Sequence, residues 1–215
     1  MINAGSLIVS VQARPDSALR KPELLAAIAQ EVVKGGAQAV RVQGIETIAA
    51  VRKAVDVPIV GLIKTERYGF DTYISAIADE VEAIKYAGAD FVAIDATDRV
   101  RPEPLEDLFT RANEVGIEVF ADVATLAEGI KAQELGAHCV ATTMAGYTSQ
   151  RAKSDGPDFE LLAELTSNLN VPVILEGRVA TAAHIASGFE LGAHAVVIGR
   201  AITAPRNIVE SLLRR

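Results

Sequence analysis

A chain of 215 residues that is 50% hydrophobic yet only 5% aromatic can build one sizeable core from small aliphatic side chains, which excludes a disordered chain. Its formal net charge of -7 and the scatter of its 21 Lys and Arg exclude a dedicated nucleic-acid surface but leave room for a small anion held by two or three local donors. A single cysteine, Cys139, excludes an internal disulfide and a cysteine-based metal cluster, and it suits a reducing cytosol. The opening Met1-Ile2-Asn3-Ala4-Gly5-Ser6 lacks a basic region followed by a long apolar one, and no apolar run approaches a membrane span. A cytoplasmic protein without nucleic-acid or membrane partners is expected.

Apolar strand-like runs at 7–12, 39–42, 59–64, 91–95, 118–122, 139–142, 173–176 and 195–198 alternate with helix-like stretches. The first run closes on Gln12, and the stretch 22–34 sets Leu24, Leu25, Ile28, Val32 and Val33 on one helical stripe. The second carries Arg41 directly after Val40, a candidate ligand for an anion or a carbonyl oxygen, with a surface ion pair as the alternative. The third is opened by Pro58, which can start a strand but not occupy its middle, and stays apolar until Lys64. Lys64 therefore stands at a strand's carboxyl end, where parallel α/β architectures do their chemistry. It is a candidate base, Schiff-base nucleophile or anion clamp, against the alternative of a snorkelling surface lysine.

The stretch 72–86 aligns Ile74, Ile77, Val81 and Ile84 and predicts a helix. The fourth strand ends in Asp95, either a polar ligand in the mouth or a cap for its own loop, and the fifth ends in Asp122. Cys139 opens the sixth as a small buried hydrophobe. The seventh leads into Glu176-Gly177-Arg178 and the eighth into Gly199-Arg200-Ala201. Two long loops, 66–71 and 145–159, fall on the carboxyl side, where catalytic loops belong.

Eight strict β/α alternations predict one domain spanning 1–215, a parallel sheet closed into a (β/α)8 TIM barrel. An internal repeat supports the count. Gly-Ala introduces every even strand, at Gly36-Ala37, Gly88-Ala89, Gly136-Ala137 and Gly192-Ala193, while Val-Pro introduces the third and seventh. The odd strands end in Gln12, Lys64, Asp122 and Glu176, which predicts one polar layer at the top of the core. Burying such groups without partners is costly, so the layer points to a site, with a structural ion-pair network as the alternative.

Strands three and seven lie four apart in a ring of eight, so Lys64 and Glu176 should face each other across the mouth. That suits removal of a carbon-bound proton from one side and its return on the other, inverting a stereocentre beside a carbonyl. Gln12 or Asp122 could hold the substrate or polarise the oxygen where charge develops. The loops after strands seven and eight are the usual phosphate seat of these barrels, which favours a phosphorylated substrate near Gly177, Arg178, Gly199 and Arg200. His138, His184 and His194 fall at strand entries or in a helix, placed for structural roles, so no metal is expected.

These motifs resemble those of the N-acetylmannosamine-6-phosphate 2-epimerases. The likeness runs in order through Val9-Ser10-Val11-Gln12-Ala13, Gly61-Leu62-Ile63-Lys64, Ile94-Asp95-Ala96-Thr97, Ala121-Asp122-Val123-Ala124-Thr125, Thr142-Thr143-Met144-Ala145-Gly146-Tyr147-Thr148, Glu176-Gly177-Arg178 and Gly199-Arg200-Ala201-Ile202-Thr203. The resemblance implies a cofactor-free TIM barrel, often a homodimer, that interconverts N-acetylmannosamine 6-phosphate and N-acetylglucosamine 6-phosphate. It puts catalysis on Lys64 and Glu176, sugar contacts on Gln12, Arg41 and Asp122, and phosphate around Gly177, Arg178, Gly199 and Arg200. Whether lysine and glutamate act as opposed bases, or glutamate instead assists ring opening, stays open. Relatives often carry Gly-x-Ala-Ile-Thr-Arg-Pro after the last strand, whereas Ala204 stands here at the arginine position, so Arg200 is expected to take over the phosphate contact. The loop Lys64-Thr65-Glu66-Arg67-Tyr68-Gly69 likewise departs from the usual Lys-Arg-Asp pattern. A Schiff-base aldolase or lyase acting on a phosphorylated keto sugar, and a sugar-phosphate-binding barrel without turnover, are the competing readings.

Overall fold

The computed structural model describes residues 1–213. Eight parallel strands close into a barrel in sequence order. They are β1 (Ser6–Val11), β2 (Ala39–Gln43), β3 (Ile59–Leu62), β4 (Phe91–Asp95), β5 (Glu118–Asp122), β6 (Cys139–Ala141), β7 (Val173–Leu175) and β8 (Ala195–Ile198). The ring is sealed where Ser6 to Val9 pair with Ala195 to Ile198. Outside lie α1 (Pro22–Lys34), α2 (Ile45–Arg52), α3 (Ala78–Tyr86), α4 (Leu105–Val115), α5 (Leu126–Glu134), α6 (Phe159–Asn168) and α7 (Ala182–Glu190), followed by the short α8 (Arg200–Thr203) and α9 (Pro205–Leu213). The predicted TIM barrel and its eight strands are present, three of them with the expected bounds and the rest with ends shifted by one or two residues.

The two-residue period of a strand sorts side chains into two cores. Val9, Val40, Val92, Val119, Val140 and Val196 join one cluster with helix residues such as Leu25, Ile84, Leu108 and Leu162. Their alternates Ile8, Val60, Phe91, Phe120, Cys139, Ile174 and Ala195 fill the barrel interior as a separate cluster. Burial of this aliphatic area, worth about 25 cal/mol per Å², is the main force that closes the ring. The same parity carries the inward rows upward to Gln12, Arg41, Lys64, Asp122 and Glu176.

The predicted helix 72–86 is cut short. Only Ala78–Tyr86 is helical, and residues 72–77 run as a non-helical arm over the barrel top, bridged at Ile74 and bent at Ser75, whose φ is positive. Ile74 forms an isolated antiparallel bridge with Lys64, Thr65 N–H donates to Tyr73 O (3.0 Å), Ser75 N–H to Ile63 O (2.8 Å) and Asp95 N–H to Ile74 O (3.0 Å). The helical pattern grouped Ile74 with Ile77, Val81 and Ile84, but its burial is in the barrel interior, 2% exposed, rather than on the helix stripe. Tertiary burial and sheet-like pairing outweigh local periodicity here. Glu80, also buried, secures the turn by accepting from Ala76 N–H (2.9 Å), Thr65 Oγ1 (3.0 Å) and Arg67 (2.6 Å).

Candidate active site

A cavity of about 1110 Å³ opens at the carboxyl ends of the strands. Gln12, Arg41, Lys64, Glu176, Gly177, Arg178, Gly199 and Arg200 all line it. Asp122 and Asp95 do not.

Arg41 organises the floor. Pairing with Ser10 on one side and Val60 on the other puts it on the inward row of β2, where its side chain is 1% exposed. Its guanidinium grips Asp122 with two bonds, Nη1 to Oδ1 at 3.0 Å and Nη2 to Oδ2 at 2.6 Å. Nη1 also lies 3.0 Å from Glu176 Oε2, a charge contact too poorly aligned to count as a hydrogen bond. The cation stands 5.1 Å above the Phe120 ring, and Nε has no partner among the described residues. The alternative of a surface ion pair is therefore corrected: the pair is internal, and it satisfies a buried charge that would otherwise be costly.

Asp122 is fully enclosed and further accepts from Thr143 Oγ1 (2.6 Å). It does not line the cavity itself and meets it through Arg41 and Thr143, which do. One guanidinium cannot neutralise two buried carboxylates, so the weaker-held one gives way. Burial, with the Asp122 charge adding to it, pushes the Glu176 carboxyl up to about 7, against the opposing pull of Arg41 and Lys64.

Lys64 Nζ donates to Gln12 Oε1 (2.8 Å), whose Nε2 donates to Ser10 Oγ (2.8 Å). This relay aims the amine, while the bridge to Ile74 fixes its backbone. The side chain opens onto the cavity but is walled by protein. Burial and then the Arg41 charge lower its pKa, opposed by Glu176 and Asp122. A lowered amine and a raised carboxyl thus line one cavity, each displaced toward the other's range.

Asp95, like Asp122, is a predicted contact residue that does not line the cavity. It accepts from Arg99 (2.6 Å) and from Thr97 Oγ1 (2.6 Å), its carbonyl takes a bond from Arg101, and it is 1% exposed. The non-helical arm with Tyr73 and Ile74 intervenes, bonded at Asp95 N–H and with Arg99 5.9 Å from the Tyr73 ring. Sequence reasoning missed Tyr73 for the same reason, since it counted the arm as helix. Ser10 and Thr143 were also missed, although both share the inward parity of Gln12 and Ala141.

On the β7/β8 side, Gly177 has φ +103, a conformation open to glycine but strained for other residues. Among the described residues no loop hydrogen bond engages the backbone N–H of Gly177, Gly199 or Arg200. Arg200 forms no ion pair among them either, and its Nη2 lies 3.5 Å from the Tyr147 hydroxyl. Arg178, by contrast, spends its guanidinium on the 145–156 segment.

The histidines lie away from this cavity. His138 packs edge-on to Phe91 near Glu118, His194 Nε2 contacts Ile2 O at 2.9 Å, and His184 Nδ1 accepts from Ala180 N–H. Among the described residues no group of three or more His, Cys, Asp or Glu could hold a metal ion.

Residues 25–214 match a family model described as putative N-acetylmannosamine-6-phosphate epimerase. The chain is 41% identical over 212 residues to a putative N-acetylmannosamine-6-phosphate 2-epimerase of Clostridioides difficile, covering 98% of this chain and 95% of the relative. It is 45% identical over 200 residues to one of Thermosynechococcus vestitus, covering 93% and 88%. A solved N-acetylmannosamine-6-phosphate 2-epimerase from Clostridium perfringens superposes with a TM-score of 0.96 at 37% identity, over 98% of this chain and 93% of that one. A tryptophan synthase α-subunit from Pyrococcus furiosus, at TM-score 0.70 and 16% identity, shares the fold alone.

Proposed function

The chain belongs to the N-acetylmannosamine-6-phosphate 2-epimerase family, and from that premise we propose that this cavity inverts C2 of the phosphosugar through Lys64 and Glu176. The protein is an isomerase interconverting N-acetylmannosamine 6-phosphate and N-acetylglucosamine 6-phosphate. Opening the sugar ring moves the O1 proton to O5 and leaves a carbonyl at C1, which acidifies the C2 hydrogen. One member of the pair then takes that hydrogen as a proton while the C2–H electrons flow into the C1 oxygen. The other member returns a proton to the opposite face as the electrons flow back, so atoms and charge balance.

Supporting this assignment is the placement of an amine and a carboxyl on strands opposite one another, around one cavity and above one buried guanidinium. The pair holds a single exchangeable proton in either direction. Neutral Lys64 with protonated Glu176 and ammonium Lys64 with ionised Glu176 contain the same number. Gln12 orients the amine, Arg41 lies beneath the sugar, and Asp122 serves by fixing Arg41 rather than by touching substrate. Asp95 we assign to holding its own loop. The reading is tested in deuterated buffer by proton NMR: solvent label at C2 together with formation of the gluco epimer is expected, and epimerisation without label would refute it.

The phosphate we place against the backbone of Gly177 and Gly199 and the side chain of Arg200, a cavity-lining cation with no carboxylate partner among the described residues. Arg200→Ala is expected to raise KM for the phosphorylated sugar about tenfold or more with little change in kcat. An unchanged KM would move the phosphate elsewhere.

We further propose a homodimer in the cytoplasm. In α9 no residue is buried, and Val209, Leu212 and Leu213 are 55%, 78% and 75% exposed along one amphipathic helix, an apolar face that a second copy would cover. Light scattering of the intact protein is expected to give twice the 22.7 kDa chain mass, and a monomer at micromolar concentration would count against it. No helix among the described residues is long and apolar enough to cross a membrane.

A further inference from the structure

We propose that Arg178 is a positioning residue whose guanidinium pins the 145–156 loop, so that Tyr147 forms the cavity wall beside Arg200. Its three nitrogens reach three points of that loop. Nε donates to Gly156 O (2.7 Å), Nη1 to Ala145 O (2.8 Å) and Nη2 to Ser154 Oγ (2.9 Å). The same cation lies 5.8 Å from the centroid of the Tyr147 ring. A planar fork of fixed donors suits this triple contact, which a single ammonium cannot reproduce.

The backbone carries a second sign of selection for placement. Arg178 has φ +59, and Ser75 is the only other described non-glycine residue with positive φ. Such a conformation persists only where its surroundings over-determine it. Here it follows Gly177 directly and turns the chain out of β7 toward the loop.

The loop also has anchors of its own, independent of Arg178. Thr148 and Arg151 form an antiparallel bridge, and Arg151 holds Asp158 with bonds of 2.6 and 2.9 Å. The two limbs press together at Gly146, where an added Cβ would stand 2.7 Å from Lys153 Cα. Tyr147 projects between these anchors, lining the cavity at 43% exposure, with its hydroxyl 3.5 Å from Arg200. Arg178 thus acts on the phosphate end through Tyr147 and Arg200, without needing to touch the ligand.

The substrate half of this inference rests on the epimerase reading, but the loop half does not. The test is hydrogen exchange of the backbone amides of 145–156 in ligand-free protein, with kcat and KM measured alongside. Arg178→Ala is expected to speed exchange at least tenfold in that segment alone, and to raise KM about tenfold with kcat within about twofold. Arg178→Lys should behave like alanine, because it keeps the charge but not the fork. Arg178→Gly, which accepts the positive φ without strain, should do the same and guards against a folding defect. Arg200→Ala should raise KM without loosening the loop. Unchanged loop exchange in Arg178→Ala and Arg178→Gly overturns the proposal, as does recovery of KM by lysine, which would mark a direct phosphate contact. If the protein did not turn over the sugar at all, the epimerase reading would fail while loop exchange still decided the role of Arg178.

Discussion

Lys64→Ala is expected to lower kcat by roughly 10³- to 10⁴-fold and to abolish deuterium incorporation at C2, while KM changes little. General acid–base catalysis supplies up to about that factor, and Lys64 carries one of its two partners in this cavity. The amine is aimed by Gln12 at 2.8 Å and lies outside the Gly177–Arg200 region to which the phosphate is assigned, so its loss should spare binding. Lys64→Arg is the sharper variant. It keeps the positive charge but cannot shed a proton at working pH, so it should be as inactive as alanine. Substantial turnover by Lys64→Arg would make the residue a charge clamp rather than a base.

The wild-type pH profile follows from the same pair. Activity needs one proton between them. Below the Glu176 range both are protonated, and above the lowered lysine range both have lost their protons. A bell is expected, its acid limb near 7 and its alkaline limb below the ordinary lysine range, both belonging to the coupled pair. Glu176→Gln should erase the acid limb along with most of the activity.

Asp122→Ala is expected to be the most destabilising change in the site, by about 3–5 kcal/mol, because it leaves the buried Arg41 with a single misaligned carboxylate. In a chain of this length that corresponds to a fall in Tm on the order of 10 °C by calorimetry. A loss under about 1 kcal/mol would mean that water or Glu176 replaces Asp122 readily. Asp122→Asn separates charge from shape. Asp122 is one cause of the raised Glu176 carboxyl, so removing its charge while Arg41 remains should draw the acid limb of the profile below 7. Thr143 Oγ1 and Arg41 Nη1 would still have an amide oxygen to bond, while Arg41 Nη2 would face the amide nitrogen, itself a donor. An acid limb that stayed put or rose would show that burial alone sets the Glu176 proton affinity.

The barrel, its eight strands and the four polar strand ends were readable from residue order alone. Strand parity is a local property: once Ile8, Val60 and Phe120 face inward, Gln12, Lys64 and Asp122 must follow at even spacing. Closure in sequence order then carries Lys64 and Glu176 to opposite sides of one cavity. Which polar group binds which was decided by tertiary structure. Arg41 was legible as a strand residue, but its grip on Asp122, 81 positions away, depends on ring closure and side-chain reach. The non-helical arm at 72–77 was hidden because Ile74 fits a helical period and an inward-facing bridge equally well, and only the burial available above Lys64 selects between them. Arg178 carries the same lesson, since a Gly-Arg pair after β7 looks the same whether its guanidinium meets a ligand or a loop. Period and turn chemistry act over a few residues and so are written in the order of the chain; charge pairing acts through space and exists only once distant strands have met.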